Sequence, residues 1–433
     1  MRRLSHFSIA RCISLLMLSC FLPSAVIAQT FRLNKWKYLT DISLDLNRLW
    51  DYNGYEGNRW GAGLVFTSPL RYNPSWPRDR QNSLQWSPYV AYGARDHTWK
   101  GGFDLALQLP RRAVKRFFVA ASSDIEPAGR RQLGSYHLIQ TYNNVHYTAS
   151  RMVGVQRLSL GFQNLQWGLA ELGSDFRLSR ERYLFDGTRR LYPSDANADA
   201  MPWRHLQEWH LRGVWHRRWT ADVMAGYWRA ADATQRHPYA RLLVQYLRTT
   251  RWDGAGTLTG YGQAGWCTAA TPYSRMFNLG GTLGSLYYFN NSFATVEADR
   301  FMASLFAQGC IRYRTDRALW TTRFSNPLPF VQCNAMWGQT KGVAEGETNY
   351  SLYDEQVGGY ASGLSGVVTL SAPDRGLVEP AIGVERLLRI GMLELGAAVA
   401  YRIEPSQAHY HITQPSQRWA FMVAATLSLQ YDL

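Results

Sequence analysis

Histidines are the first residues in this sequence whose type and spacing could support metal binding or proton transfer. His210 and His216 fall on one face of a predicted strand, but at strand rise they lie about 20 Å apart, too far to share one metal ion. His205 falls on the opposite face. His409 and His411 would lie about 7 Å apart on one face, although a loop or turn is their predicted setting. The histidine pattern therefore predicts no metal site.

The serine pattern does not indicate a hydrolase either. Gly363-Leu364-Ser365-Gly366 lacks the Gly-x-Ser-x-Gly spacing of a nucleophile elbow, so Ser365 fits better as a strand residue. Proteases and phospholipases built on barrels take their catalytic groups from different strands, and spacing alone leaves that alternative open. We predict a protein that is not an enzyme and that has no catalytic, cofactor-binding or metal-binding residues.

Two short charged motifs are stronger candidates for a functional site. Glu56 and Arg59 lie at a turn that enters a predicted strand, and Glu297, Asp299 and Arg300 precede another strand. Charged side chains are costly where they face lipid, so this cluster should point into a lumen or into a loop folded over it. We predict that Arg300 pairs with an acid from another strand, such as Glu56. The pair either has a structural role alone or holds a plug in place.

Apolar and polar residues alternate along the whole chain, and this pattern determines the predicted fold. In 99–109, Trp, Gly, Phe and Leu occupy the odd positions, while Lys, Gly, Asp, Ala and Gln occupy the even ones. Successive strand side chains point to opposite faces, so Leu105 should face lipid and Ala106 the lumen. Strands of about ten residues with this alternation predict an all-β transmembrane antiparallel barrel with lipid outside and water inside.

About eighteen segments are candidate strands, and the boundaries of strands are imprecise when they come from sequence alone. Bacterial barrels have even numbers of strands. We predict sixteen, with one or two candidates forming hairpins within loops. The candidates include 165–173, 281–289 and 363–370. Four longer connections, 68–84, 124–150, 174–205 and 341–362, do not all fall at one end of these strands. That conflict predicts either a misassigned strand or a long periplasmic connection.

The N-terminus predicts export through the Sec pathway. A basic start, a short apolar stretch and the small residues Val26 and Ala28 define a signal peptide, 1–28, which leaves 29–433 as the barrel. A lipoprotein signal that ends at Cys20 is the alternative, and the residues around Cys20 fit it poorly. We predict cleavage after Ala28 and location in the cell outer membrane.

Composition agrees with a barrel. Aromatic residues make up 14% of the chain, and the 17 Trp and 25 Tyr are suited to the interfacial girdles of a barrel. The net charge of +15 falls to +12 without the three arginines of the signal peptide, and it predicts a basic lumen and loops that contact lipopolysaccharide. Nucleic acid is not expected as a partner in that compartment.

A resemblance to a known family adds a functional expectation. Its motifs are Tyr55-Glu56-Gly57, Pro88-Tyr89-Val90-Ala91-Tyr92-Gly93, Trp99-Lys100-Gly101-Gly102 and Asp299-Arg300-Phe301. They resemble a Bacteroidota outer-membrane barrel family of unknown function, whose longer members carry a carboxypeptidase-regulatory-like N-terminal domain. That family is distantly similar to the BamA-like surface-antigen superfamily of insertases and secretion pores, which have sixteen strands. The resemblance covers 47–433.

The resemblance implies that the barrel serves the assembly or translocation of proteins or lipids at the outer membrane. Its expected partners are outer-membrane lipid, lipopolysaccharide and other outer-membrane or periplasmic proteins. A passive pore or uptake channel with a basic lumen is the alternative function.

Overall fold

Period-two stretches of the sequence form the strands of an antiparallel sheet in a computed structural model of the chain. Among the described residues, no helix is long and apolar enough to cross a membrane. The described residues are 31–32, 41–45, 49–53, 57–71, 75, 80–94, 96–127, 152–184, 203–231, 233–279, 293–296, 301–340, 372–390, 393–403 and 418–427.

The strands are named in chain order. They are β1 Phe31–Arg32, β2 Asp41–Leu44, β3 Trp50–Asn53, β4 Gly57–Pro69, β5 Ser83–Gly93, β6 Trp99–Gln108, β7 Val114–Pro127, β8 Met152–Trp167, β9 Ala170–Leu184, β10 Arg204–Trp215, β11 Trp219–Ala230, β12 His237–Trp252, β13 Gly256–Cys267, β14 Phe277–Leu279, β15 Phe301–Ala303, β16 Leu305–Thr315, β17 Leu328–Gln339, β18 Leu377–Ile390, β19 Leu393–Tyr401 and β20 Trp419–Leu427.

The barrel has sixteen strands when β2 and β3 are counted as one. β2 and β3 pair with successive parts of β4, so they form one strand. From β4 to β20 each barrel strand pairs with the next in antiparallel register, while β14 and β15 form a separate small sheet. The two-residue β1 pairs with β2. The predicted sixteen-stranded antiparallel barrel is therefore confirmed.

The outward face of the barrel is apolar, which makes it a membrane-spanning structure. On β6, the Leu105 side chain is 40% exposed whereas Ala106 is 1% exposed, as the alternation predicts. The same outward exposure recurs at large apolar residues around the sheet: Trp86, Val119, Leu160, Phe176, Leu178, Trp209, Leu242, Trp266, Ile311, Val331, Ile382 and Phe421. A continuous apolar belt of this kind matches the hydrocarbon of a bilayer.

The connections differ in length between the two ends of the barrel. The connections 128–151, 185–203, 268–304, 340–376 and 402–418 all leave one end, which we call the long-connection end. Most connections at the other end, the short-turn end, are tight, with 70–82 and 316–327 as its longest. The predicted long connection 68–84 thus lies at the end opposite the other long ones.

One predicted strand is wrong in position. The segment 165–173 spans the tight turn between β8 and β9, where Gly168 adopts a φ of 58°. A register shift between Phe162 and Leu165 changes which residues of β8 face outward. The apolar residues that follow the shift therefore continue the alternating pattern up to and through the turn, which made the turn look like a strand. As a result β9 runs on to Leu184, and the predicted connection 174–205 shortens to 185–203.

Two further candidate strands, 281–289 and 363–370, lie outside the described residues. Both fall within connections between barrel strands, 268–304 and 340–376. Counting 281–289 as a barrel strand would reverse the direction of every strand after it. Without that strand, the long connections 268–304 and 340–376 leave the same end of the barrel.

Candidate functional site: a segment held inside the lumen

The connection between β13 and β16 folds inward and contacts the lumenal wall. We call it the lumenal segment; its described residues are 268–279, 293–296 and 301–304. It contains a single turn of 3-10 helix, Tyr273–Arg275, and the small sheet formed by β14 and β15. Cys267 donates its backbone N–H to Ser304 at 2.8 Å, so the segment leaves and re-enters the barrel at adjacent positions.

Arg275 ties this segment to two neighbouring strands. Its guanidinium makes two hydrogen bonds to the Glu208 carboxylate on β10, at 2.5 and 3.1 Å, and a third to Glu181 on β9 at 3.0 Å. Glu181 is 0% exposed and Glu208 is 1% exposed. Ion pairs removed from water to this degree require close geometry and satisfied hydrogen bonds, and the bidentate arginine supplies both.

The two carboxylates have further partners, so the group forms a connected network. Arg204 donates to Glu181 at 2.9 Å, and the Ser274 hydroxyl donates to the same carboxylate. Tyr239 on β12 donates its hydroxyl to Glu208. Burial lowers the pKa of Arg275, but the two carboxylates more than reverse this and hold its pKa well above the usual range. Arg275 therefore stays charged.

Backbone atoms of the segment are held by the same wall. Arg241 on β12 donates to the Arg275 carbonyl at 3.2 Å and also pairs with Asp222 on β11 at 3.2 Å. Trp228 on β11 donates its indole N–H to the Ala270 carbonyl at 2.9 Å. We call all these contacts together the latch. It attaches the first part of the segment to β9, β10, β11 and β12.

A second anchor attaches the other part of the segment to a different wall. Glu379 on β18 accepts backbone N–H groups from Ala294 and Thr295, at 2.9 and 2.8 Å, and an amide N–H from Asn334 on β17 at 3.3 Å. Arg402, beyond β19, donates to the Thr295 carbonyl at 2.8 Å. The lumenal segment thus extends across the lumen from one side to the other.

Between the anchors, the segment packs an apolar core inside the barrel. Side chains from the segment meet apolar side chains that point inward from β8, β12, β13, β16, β17 and β18. This cluster comprises Val153, Val155, Leu243, Cys267, Met276, Phe277, Leu279, Phe293, Val296, Phe301, Ala303, Phe306, Met336 and Leu377. Apolar side chains are stabilised by removal from water, so a buried cluster of this kind indicates that water is excluded from this part of the lumen.

Truncation of the second anchor is expected to loosen the segment. In Glu379→Leu the backbone donors of Ala294 and Thr295 lose their acceptor, and each buried unpaired donor costs about 1–3 kcal/mol. We expect the free energy of unfolding in lipid vesicles to fall by several kcal/mol. Glu171→Leu, at a carboxylate of β9 near the short-turn end that accepts one hydrogen bond from Gln166 at 3.4 Å, is the comparison. A loss no larger than that of Glu171→Leu would contradict the role of Glu379.

Arg59 is the one member of the predicted charge cluster that lies among the described residues. Its guanidinium lies in the lumen and pairs with Asp124 on β7 at 2.7 Å, and Tyr89 donates to the same carboxylate at 2.7 Å. The other members, Glu56, Glu297, Asp299 and Arg300, lie outside the described residues. The pairing of Arg300 with Glu56 therefore stays a prediction.

Sequence reasoning missed the residues of the latch. Glu181, Glu208 and Arg204 occupy inward positions of alternating strands, a signal that could have identified them as lumenal. Nothing in the spacing assigned them to Arg275, which is 67 residues from Glu208 and 94 from Glu181. His210 lies inward beside this network, 3.8 Å from Glu208, and within the described residues no group of three metal-ligating side chains converges.

Comparison with known proteins gives likenesses to solved structures only. No protein-family model matches the chain, and no curated protein matches it. BamA from Haemophilus ducreyi lacking POTRA domains 1–3 is 8% identical, with 97% of this chain and 78% of that chain covered and a TM-score of 0.46. CdiB from Acinetobacter baumannii is also 8% identical, with 86% of this chain and 57% of that chain covered and a TM-score of 0.40. CdiB from Escherichia coli is 8% identical, with 90% and 59% covered and a TM-score of 0.39.

The chain therefore spans less than two thirds of the length of either CdiB structure. These likenesses concern the overall shape of the barrel. The assignment as a membrane-spanning barrel depends on the strand register and the outward apolar belt described above.

Proposed function

We propose that this protein is an outer-membrane barrel whose lumen is closed at rest by the lumenal segment, and that it serves assembly or translocation at that membrane. The observation that carries the proposal is the latch between Arg275 and the buried pair Glu181 and Glu208. Because bacterial barrels carry their longer loops on the extracellular side, we assign the long-connection end to the outside of the cell. The latch lies toward that end.

The charges of the lumen also favour this proposal over an open, anion-selective pore. Many of the described arginines that line the lumen form ion pairs with carboxylates, and this pairing weakens the attraction of the lumen for small anions. These pairs are Arg59–Asp124, Arg157–Glu126, Arg204–Glu181, Arg241–Asp222 and Arg312–Glu385.

A conducting role remains the second candidate because the lumen has a polar band beyond the segment. Gln245, Gln263 and Gln308 form a chain of amide hydrogen bonds across β12, β13 and β16, at 3.1 and 3.3 Å. If the lumenal segment moved aside, a polar path lined by these amides would connect the two ends of the barrel.

Planar-bilayer conductance of a variant without the segment tests the proposal. Because Cys267 and Ser304 are hydrogen-bonded neighbours, residues 269–303 can be replaced by a short Gly-Ser turn without moving the strands. We expect wild type to give low or flickering conductance and the replacement variant to give a steady open pore. Heat-modifiable gel mobility confirms folding of both proteins.

A matched control replaces the connection 316–327 at the short-turn end, which should leave the conductance of wild type unchanged. A wild-type protein that already forms a steady, anion-selective pore would contradict the proposal and support the channel. Equal conductance of wild type and the variant lacking 269–303 would show that the segment does not close the lumen.

A further inference from the structure

A row of basic residues lies across three neighbouring strands at the long-connection end. Arg180 on β9 is the cross-strand partner of His205 on β10, and His205 is the partner of Arg229 on β11. Cross-strand partners project from the same face of a sheet, so these three side chains lie side by side. We call them the basic row.

The basic row faces outward, toward the membrane. Next to it along each strand, the side chains of Glu181, Arg204 and Trp228 are buried on the lumenal side. Further along β9 on the outward face, Leu178 and Phe176 are exposed members of the apolar belt. The row therefore lies directly above that belt, at the depth where lipid headgroups meet hydrocarbon.

Aromatic rings and two more arginines surround the row. Trp203 lies under the guanidinium groups of Arg180 and Arg182, at 4.8 and 5.2 Å from its ring centre. Arg236, in the connection between β11 and β12, lies 4.9 Å from the ring centre of Tyr227. Trp and Tyr favour the membrane interface, and their rings hold these cations in place there.

Within 152–184, 203–231 and 233–279, no carboxylate lies within ion-pair distance of these outward arginines. Arg180 donates to the amide of Gln156 at 2.6 Å, and Arg229 donates to the Ala233 carbonyl at 3.5 Å. The lumenal arginines of the same strands behave differently, since Arg204 and Arg177 pair with acids. Among the described residues of β9, β10, β11 and β12, the positive charge of these outward arginines is thus left without a carboxylate partner.

We propose that the basic row binds the phosphorylated headgroup of a lipid in the outer leaflet, the lipid A portion of lipopolysaccharide. Arginine guanidinium groups bind phosphate oxygens through paired, charge-assisted hydrogen bonds, and Arg180, Arg182 and Arg229 present three of them along one edge. The acyl chains of the same lipid would lie along Leu178 and Phe176. This assignment rests on the proposed outer-membrane location, with the long-connection end outside.

A binding titration with purified lipid A tests the site. The full chain is refolded into dodecyl maltoside micelles, and fluorescent bis-phosphorylated lipid A is added to wild type and to Arg180→Gln/Arg182→Gln/Arg229→Gln. Each arginine near a lipid surface adds to the attraction for anionic lipid, so the triple variant should bind at least roughly tenfold more weakly. Arg248→Gln, exposed on β12 toward the short-turn end, is the matched control and should bind like wild type.

Two additional measurements identify the ligand chemistry. Wild type should bind dephosphorylated lipid A about as weakly as the triple variant binds the phosphorylated form, a comparison that needs no mutant to fold. Inorganic phosphate should not displace the bound lipid. Equal binding of the two lipid forms, or of wild type and a folded triple variant, would overturn the proposal. Displacement by inorganic phosphate would assign the row to free phosphate instead of lipid.

The lipid site and the closed lumen can fail independently. The variant that lacks 269–303 keeps the basic row, so it should bind lipid A like wild type even though its conductance changes. A steady pore in wild type together with selective binding of phosphorylated lipid would remove the proposed closure and keep the lipid site.

Discussion

Arg275→Ala is expected to lower the free energy of unfolding by about 3–5 kcal/mol, because it leaves carboxylates buried without their main cationic partner. Glu208 loses both of its hydrogen bonds from the guanidinium, and Glu181 loses one of two arginines. Arg275→Lys keeps the charge but not the bidentate geometry, and should lose an intermediate amount. Urea titration of protein in lipid vesicles, followed by tryptophan fluorescence, measures these differences.

Arg251→Ala is the control for this prediction. Arg251 pairs with Asp316 at 3.5 Å, but its side chain is 70% exposed. An exposed ion pair contributes about 0–1 kcal/mol, so the stability of Arg251→Ala should stay close to that of wild type.

A double-mutant cycle separates the latch from general packing. If Arg275 and Glu208 stabilise each other, Arg275→Ala/Glu208→Ala should cost less than the two single variants added together, by about 0.5–3 kcal/mol. Additive losses would mean that the two side chains do not act together, which would contradict the role of Arg275 in the latch.

Leu105→Arg is expected to reduce insertion and stability in the bilayer by about 2–4 kcal/mol, the cost of an arginine on the lipid face near the midplane. Leu105 is exposed on the outward face of β6, among other residues of the apolar belt. Heat-modifiable gel mobility after refolding into lipid vesicles gives the fraction inserted, and urea titration gives the stability.

Gln108→Arg is the matched comparison on the same strand. Gln108 faces the lumen, where its amide donates to Gln85 at 2.7 Å, and an arginine there can reach water. Ala106 also faces inward, but it is almost fully buried, so an arginine at that position would disturb packing as well. Similar losses in Leu105→Arg and Gln108→Arg would mean that the lipid and lumen faces are wrongly assigned.

The sequence alone predicted the class of fold, because alternation is a local property. A strand that separates lipid from water must place apolar and polar side chains on alternate positions, and 99–109 does this without reference to any other part of the chain. The faces of Leu105 and Ala106 followed from that rule, whereas the predicted number of strands also required the even number that bacterial barrels use. The rule failed at 165–173, where a register shift near Asn164 and the turn at Gly168 preserved the alternation while the chain reversed.

Only the tertiary structure could identify the latch and the basic row, since both join residues from separate strands. Arg275 meets Glu208 and Glu181 because a connection folds back through the barrel, and no spacing in the sequence encodes that contact. Arg180 and Arg229 become neighbours through the register of β9, β10 and β11. Alternation determines which face a residue occupies, whereas register and the inward fold of a loop determine which charges meet on that face.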